Sequence, residues 1–192
     1  MVTEPAIPSA GAHAAWRRAN IPERFQSAMS NSDLITECLS MAEPQGWIRN
    51  WSDSFRLGEV LSSSNPRLCG KGLYLVGGFE ADFLGAAILQ ALLLEGYAAS
   101  GLYLNVDDFL ESEAPDGERL GDRRWVDLLL LRGVGEHYTT ATNWANSTIT
   151  GLVRRRLDKG TPTIITTSKP PGESGLSAAL VDQAFIKIVI GK

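Results

Sequence analysis

Three observations predict a parallel α/β domain with helices on both faces of one sheet. Short, nearly continuous apolar runs recur from about residue 72 onward, as in strands covered on both sides. Segments with helical apolar spacing separate them, so strand and helix alternate. The first apolar run closes on a glycine pair, Gly77-Gly78, ahead of a long apolar segment: a strand, a tight turn and a buried helix. The 192 residues suffice for one such domain with a substantial core, and are few for two.

Taken in order, residues 1–20 are rich in alanine and proline without a clear period, which predicts a mobile arm with a short helix around Trp16. Residues 21–192 are then a single domain with a helical extension at its start. From Asn31 to about Asp53 the spacing is helical: Ser32 or Asp33 can cap, and Leu34, Ile35, Cys38 and Leu39 share a face before Pro44-Gln45-Gly46 interrupts. Trp47, Ile48 and Trp51 continue at helical spacing, with the tryptophans on one side, packed on the domain or offered to a partner. "SSSNPRLCGKG" at 62–72 is a loop leading to the first strand, Leu73–Gly77.

Phe83–Leu94 is apolar on nearly every side, as a helix buried beside a sheet would be. Gly101–Val106 is the second strand, and Asp107-Asp108 can cap a short helix through Glu111. A polar loop at 111–122 leads to a third run, Val126–Leu131. Thr139–Leu157 reads as an amphipathic helix with Trp144, Ile149, Leu152, Val153 and Leu157 on its apolar side, ended by Gly160-Thr161-Pro162. Thr163–Thr167 is a fourth strand, Ser174–Gln183 a helix and Phe185–Ile190 a fifth strand.

Composition narrows the function classes. The chain is 44% hydrophobic and 21% charged, ordinary for a soluble globular protein, and its formal charge of −4 argues against whole-surface attraction to nucleic acid. Cys38 and Cys69 lack metal-ligand spacing, and His13 and His137 stand far apart, so neither a disulfide framework nor a metal site is expected. No stretch reaches the roughly 18 uninterrupted apolar residues of a membrane span, and Arg17-Arg18 follow the weakly apolar start, the wrong order for a secretory signal. The expectation is a cytoplasmic protein, in which the glycosylation sequons at Asn50 and Asn146 are chance.

The stretch "LYLVGGFEADFLGAA" at 73–87 has the setting of a phosphate-binding loop. In the pattern G-x-x-x-x-G-K-[ST], backbone N–H groups wrap the phosphates, the lysine neutralises them and the hydroxyl residue holds Mg²⁺. Counted from Gly77, past Gly78 and Glu80, the second glycine position is Asp82, the lysine position Phe83 and the hydroxyl position Leu84. Two carboxylates where a triphosphate would arrive oppose it. The third strand offers an independent check, because a Walker B strand ends in an acidic residue that reaches Mg²⁺. Here "VDLLLLRGVGE" ends in Arg132 and Gly133, and a guanidinium cannot hold a cation.

These segments together resemble the ATPase domain of the bacterial and phage helicase loaders of the DnaC/DnaI group, within the AAA+ family, with IstB-type transposition ATPases as relatives. "IPERF" at 21–25 resembles the family's lead-in segment, "GLYLVGG" at 72–78 its first strand and loop, and "LYLNVDDFLE" at 102–111 its second strand. "VDLLLLRGVGE" at 126–136 matches the Walker B segment, and "LVRRRLDKGTPTIITTSKPP" at 152–171 the helix, turn and strand that carry sensor 1. The resemblance implies a P-loop NTPase-like AAA+ core, a five-stranded parallel sheet in order 5-1-4-3-2, here without a lid. It places Ser168 at the sensor 1 position and Gln183 near the position of an arginine that reaches a neighbour's nucleotide. It also implies partners in replication or mobile-element biology, namely a replicative helicase or another loader-like ATPase.

The remaining features admit more than one reading. Arg154, Arg155 and Arg156, with Lys159, form a basic cluster, either a solvated helix end or a contact for nucleic acid or an acidic partner. Three consecutive helical residues fan over about 200°, so they do not all point one way. Gly133-Val134-Gly135 lacks the third glycine of a dinucleotide turn, since Tyr138 stands there, and Glu136-His137 lacks a paired nucleophile. Phe79 and Phe83 either plug the vacated pocket or, for Phe79, face a partner. The expected function is a pseudo-ATPase of loader type acting as a binding or scaffold module, with no cofactor. An ATPase with an unusual or partner-completed site, and a nucleotide-independent DNA-binding accessory, are the alternatives.

Overall fold

The computed structural model describes residues 9–26, 45–61, 67, 69–114, 121–136 and 142–190. The predicted strand–helix alternation is present. Helices α1 (Ala10–Arg18), α2 (Glu23–Gln26) and α3 (Gln45–Arg56) precede strand β1 (Gly72–Val76) and helix α4 (Phe79–Leu94). Then come β2 (Gly101–Asn105), α5 (Val106–Glu113), a 3-10 turn at Gly121–Trp125, β3 (Leu128–Arg132), α6 (Thr142–Asp158), β4 (Thr163–Thr167), α7 (Ala178–Ala184) and β5 (Phe185–Val189). Of the helical region expected from Asn31 to about Asp53, the part from Gln45 onward is helical in α3, and residues 31–44 lie outside the described residues.

All neighbouring strands run parallel, and the sheet order β2-β3-β4-β1-β5 is the order implied by the AAA+ resemblance. Strand residues alternate between two cores, as the pleat requires. Leu73, Leu75, Leu128, Leu130 and Ile164 face one layer with α4 and the N-terminal helices. Tyr74, Leu129, Leu131 and Ile165 face the other, with residues of α5, α6 and α7. Two glycines set close approaches. A Cβ on Gly72 would stand 1.7 Å from the Thr163 carbonyl oxygen, and one on Gly85 would stand 2.9 Å from Thr166 Cγ2. Gly85 thus lets α4 settle onto β3 and β4, which brings the helix's first turn over the ends of those strands.

Residues 10–19 differ from the predicted mobile arm. The short helix around Trp16 exists, but Ala15 and Ala19 sit in the core and the Trp16 indole N–H donates to Gln90 Oε1 at 3.2 Å. Small alanine side chains let α1 approach α4 closely, a packing role that leaves little hydrophobic periodicity in sequence. Trp51 is buried with its indole N–H on the Lys71 carbonyl at 2.9 Å, which favours the packing reading for that tryptophan; the Trp47 side chain lies outside the described residues. Among the described residues no helix is long and apolar enough to cross a membrane.

Candidate functional site

The glycine turn that should hold a phosphate is short. Strand β1 ends at Val76 and α4 begins at Phe79, so only Gly77 and Gly78 lie between them. A P-loop places its whole G-x-x-x-x-G-K-[ST] run between strand and helix. Gly78 takes φ +60°, a conformation open to glycine, and a Cβ on Gly77 would lie 2.7 Å from the Ile190 carbonyl oxygen. The two amides turn inward: Gly77 N–H donates to the Thr167 carbonyl at 3.0 Å and Gly78 N–H to the same oxygen at 3.5 Å. These two backbone donors are spent on the sheet.

The predicted start of the helix at Phe83 moves four residues earlier, with a consequence for every residue counted on the loop. Glu80 and Asp82 become first-turn residues of α4, where negative charge suits the helix dipole. Glu80 is exposed, whereas Phe83 and Leu84 are buried in the core. Phe79 is 59% exposed, its ring 5.9 Å from that of Phe25.

Asp82 is the centre of the site. It is only 5% exposed, and its carboxylate joins α4 to β3 and β4. Oδ2 accepts from Arg132 Nε at 2.6 Å, and Oδ1 accepts from the Thr166 hydroxyl. Arg132, read in the sequence as the Walker B position, stands at the end of β3, and Thr166 lies on β4 directly beside it in register. For the Arg132 guanidinium, burial alone would lower the pKa, but the Asp82 hydrogen bond and charge outweigh it and hold the pKa above the ordinary value. The sequence shows two separate losses at Asp82 and Arg132; in the fold they are one ion pair. Opposite charges at the two positions were the available signal, legible only once the two ends are known to meet.

The surrounding loops are tied down. Gly133 has φ +78° and donates to the Thr166 carbonyl at 2.9 Å, continuing the β3 end over β4. Thr167 Oγ1 donates to the Val134 carbonyl at 2.7 Å. At the sensor 1 position Ser168 is exposed, and its backbone N–H donates to Glu136 Oε1 at 2.5 Å. Gln183 is exposed on α7. His137 and Tyr138 lie outside the described residues, and among the described residues no group of three or more His, Cys, Asp or Glu is placed to hold a metal ion.

The basic cluster divides. Arg154, Arg155 and Lys159 are exposed, and the Lys159 ammonium sits 4.0 Å from the centre of the Trp125 ring. Arg156 is fully buried, which corrects its expected place on a contact surface. It lies on the buried stripe of α6 with Ala145, Ile149, Leu152 and Val153. Its guanidinium donates to Thr163 Oγ1 at 2.9 Å and to the carbonyls of Pro162, Arg124 and Val126 at 2.7, 2.8 and 3.0 Å. Burial lowers its pKa to about 10, against the opposing charge of Asp127, so it stays protonated near neutral pH. Arg156 stitches the approaches to β3 and β4 together.

No protein-family model matches the chain, and no curated protein matches it. Solved structures do. DnaI superposes with a TM-score of 0.53 at 22% identity, over 73% of this chain and 83% of its own. A Streptococcus pyogenes structure described as a primosome component gives 0.54 at 16% identity, over 93% and 95% of the two chains. Domain III of the Thermotoga maritima initiation protein DnaA gives 0.50 at 16% identity, over 73% and 62%. At these identities the likeness establishes the fold alone, one that this chain shares with DnaI.

Proposed function

We propose that this chain is a non-catalytic protein of the helicase-loader fold, acting as a binding or scaffold module in a DNA replication or mobile-element nucleoprotein assembly. The observation that carries the reading is the Asp82–Arg132 pair with Thr166, formed between the positions that the sequence resemblance assigns to the phosphate loop and Walker B. A buried pair of this kind is self-satisfied, and a triphosphate would have to break it and leave Asp82 facing like charge. The amides of Gly77 and Gly78, already given to Thr167, supply no cradle. The structural neighbours support the replication setting: DnaI, a primosome component and a replication initiator share the fold.

The partner on this reading is a protein, a replicative helicase or a loader-like ATPase, and association needs no nucleotide. Co-purification of the full chain with the replicative helicase and the loader-type ATPase of its own host tests this. The expected result is a stable complex with one of them, unchanged by Mg-ATP and without phosphate release attributable to this chain. Phosphate release that disappears in an Arg132→Ala variant would contradict it. The DNA-binding alternative retains Arg154, Arg155 and Lys159 as exposed residues but loses Arg156 to the interior. Salt-dependent DNA binding abolished by an R154Q/R155Q double variant would favour it.

A further inference from the structure

Beside Arg132, away from the glycine turn, a cleft of about 150 Å³ opens at the C-terminal ends of β2 and β3. Asn20, Arg24, Tyr103, Asn105 and Arg132 line it, with Asp108 also contributing. None of residues 77–84 contributes to its wall. Its polar groups are mostly donors. The Tyr103 hydroxyl is buried and has no hydrogen-bond partner. A lone buried hydroxyl is unfavourable, and a native structure that keeps one invites a ligand.

The neighbours of that hydroxyl define the ligand. Arg24 stands beside it and acts on its charge state, its guanidinium also 4.8 Å from the centre of the Phe25 ring, and it makes no ion pair among the described residues. Asn105 uses Oδ1 to cap the Asp107 N–H at 3.5 Å, which leaves its amide nitrogen as a donor. Arg132, paired with Asp82, completes the lining. Asp108 is exposed, so the one carboxylate of the wall is well solvated. Burial first, and the Asp82 charge second, push the Tyr103 pKa up to about 12, so the hydroxyl keeps its proton and stays a donor. At Asn20 the backbone is left-handed with φ +56°, a conformation that asparagine tolerates and that recurs at ligand clamps.

We infer that this cleft binds a small oxyanion, a phosphate or a carboxylate, through the Tyr103 hydroxyl and the Arg24 guanidinium. Arg132 is already paired with Asp82, so Arg24 is the cation of the wall that no carboxylate among the described residues pairs, and one such cation suits a single small anionic group. The inference goes beyond the proposed function and stands on different residues from the glycine turn.

The test uses the full chain and two probes, inorganic phosphate and acetate, each titrated at constant ionic strength against chloride and followed by amide chemical shifts. Saturable shifts at Tyr103 and Asn105 with either probe are expected, and the probe that binds tighter identifies the head group. Tyr103→Phe, which keeps the ring packing, should weaken binding about tenfold, as expected for losing one hydrogen bond to a charged group. Arg24→Gln should weaken it by at least as much. Both variants should keep the wild-type amide spectrum without anion, which separates a lost site from a lost fold. Absence of saturation overturns the inference. Binding that both variants leave intact also overturns it, as an adventitious ion only. A failure of phosphate and acetate to bind leaves the non-catalytic reading untouched.

Discussion

At Asp82 and Arg132 each side chain is satisfied by the other, and that mutual dependence has a measurable signature. Asp82→Ala leaves Arg132 without its carboxylate and Thr166 without its acceptor. Because the Arg132 side chain is 31% exposed, water screens part of the loss, and the expected cost is about 1–3 kcal/mol rather than the larger figure for a fully buried pair. Arg132→Ala should cost a similar amount, and the double variant D82A/R132A less than the sum of the two. A double-mutant cycle by urea denaturation measures it; additive losses would mean that the two side chains do not depend on each other. Both residues were legible in the sequence as departures from a nucleotide site. Their pairing was not, because 50 positions separate them and only the sheet order brings the ends of α4 and β3 together.

Helix α4 shows how a motif template can mislead where local chemistry does not. Counting G-x-x-x-x-G-K-[ST] from Gly77 assigns Phe83 to the lysine position and delays the helix. Yet Glu80 and Asp82 are what a first turn prefers, and the glycine pair alone suffices for the turn. It follows that restoring the missing lysine alone will not restore a nucleotide site. Phe83 is buried among apolar neighbours, so Phe83→Lys should lower stability by about 2–4 kcal/mol, measured by denaturation, and gain no affinity for Mg-ATP.

The apolar stripe of α6 also sits slightly differently from its sequence reading. Trp144 is exposed and Ala145 takes the buried position, while Arg156 continues the stripe as a buried cation. Three arginines in a row look alike in sequence, since the carbonyls that receive Arg156 come from residues 124, 126 and 162. Arg156→Ala should therefore destabilise by about 3–5 kcal/mol, whereas Arg154→Gln and Arg155→Gln should each stay within about 0.5 kcal/mol. Comparable denaturation midpoints for all three variants would remove the structural role assigned to Arg156.

Over the whole molecule, the strand–helix alternation and both faces of the sheet were legible because five short apolar runs have few other solutions. The sheet order came from resemblance to the loaders. The N-terminal attachment was hidden, because it depends on alanine contacts and on one glutamine: Gln90 receives the Trp16 indole N–H and donates to the Phe25 carbonyl at 2.7 Å. The Tyr103 amide also donates to the Ala19 carbonyl at 2.7 Å, which ties the segment to β2. Deleting residues 1–19 should therefore lower the denaturation midpoint; an unattached arm would leave it unchanged.

The central claim is that an internal ion pair occupies the place of a nucleotide in a loader-type fold. Calorimetric titration of Mg-ATP into the purified full chain tests it most directly. No saturable heat is expected up to millimolar ligand, and a 1:1 isotherm with micromolar affinity would contradict the claim.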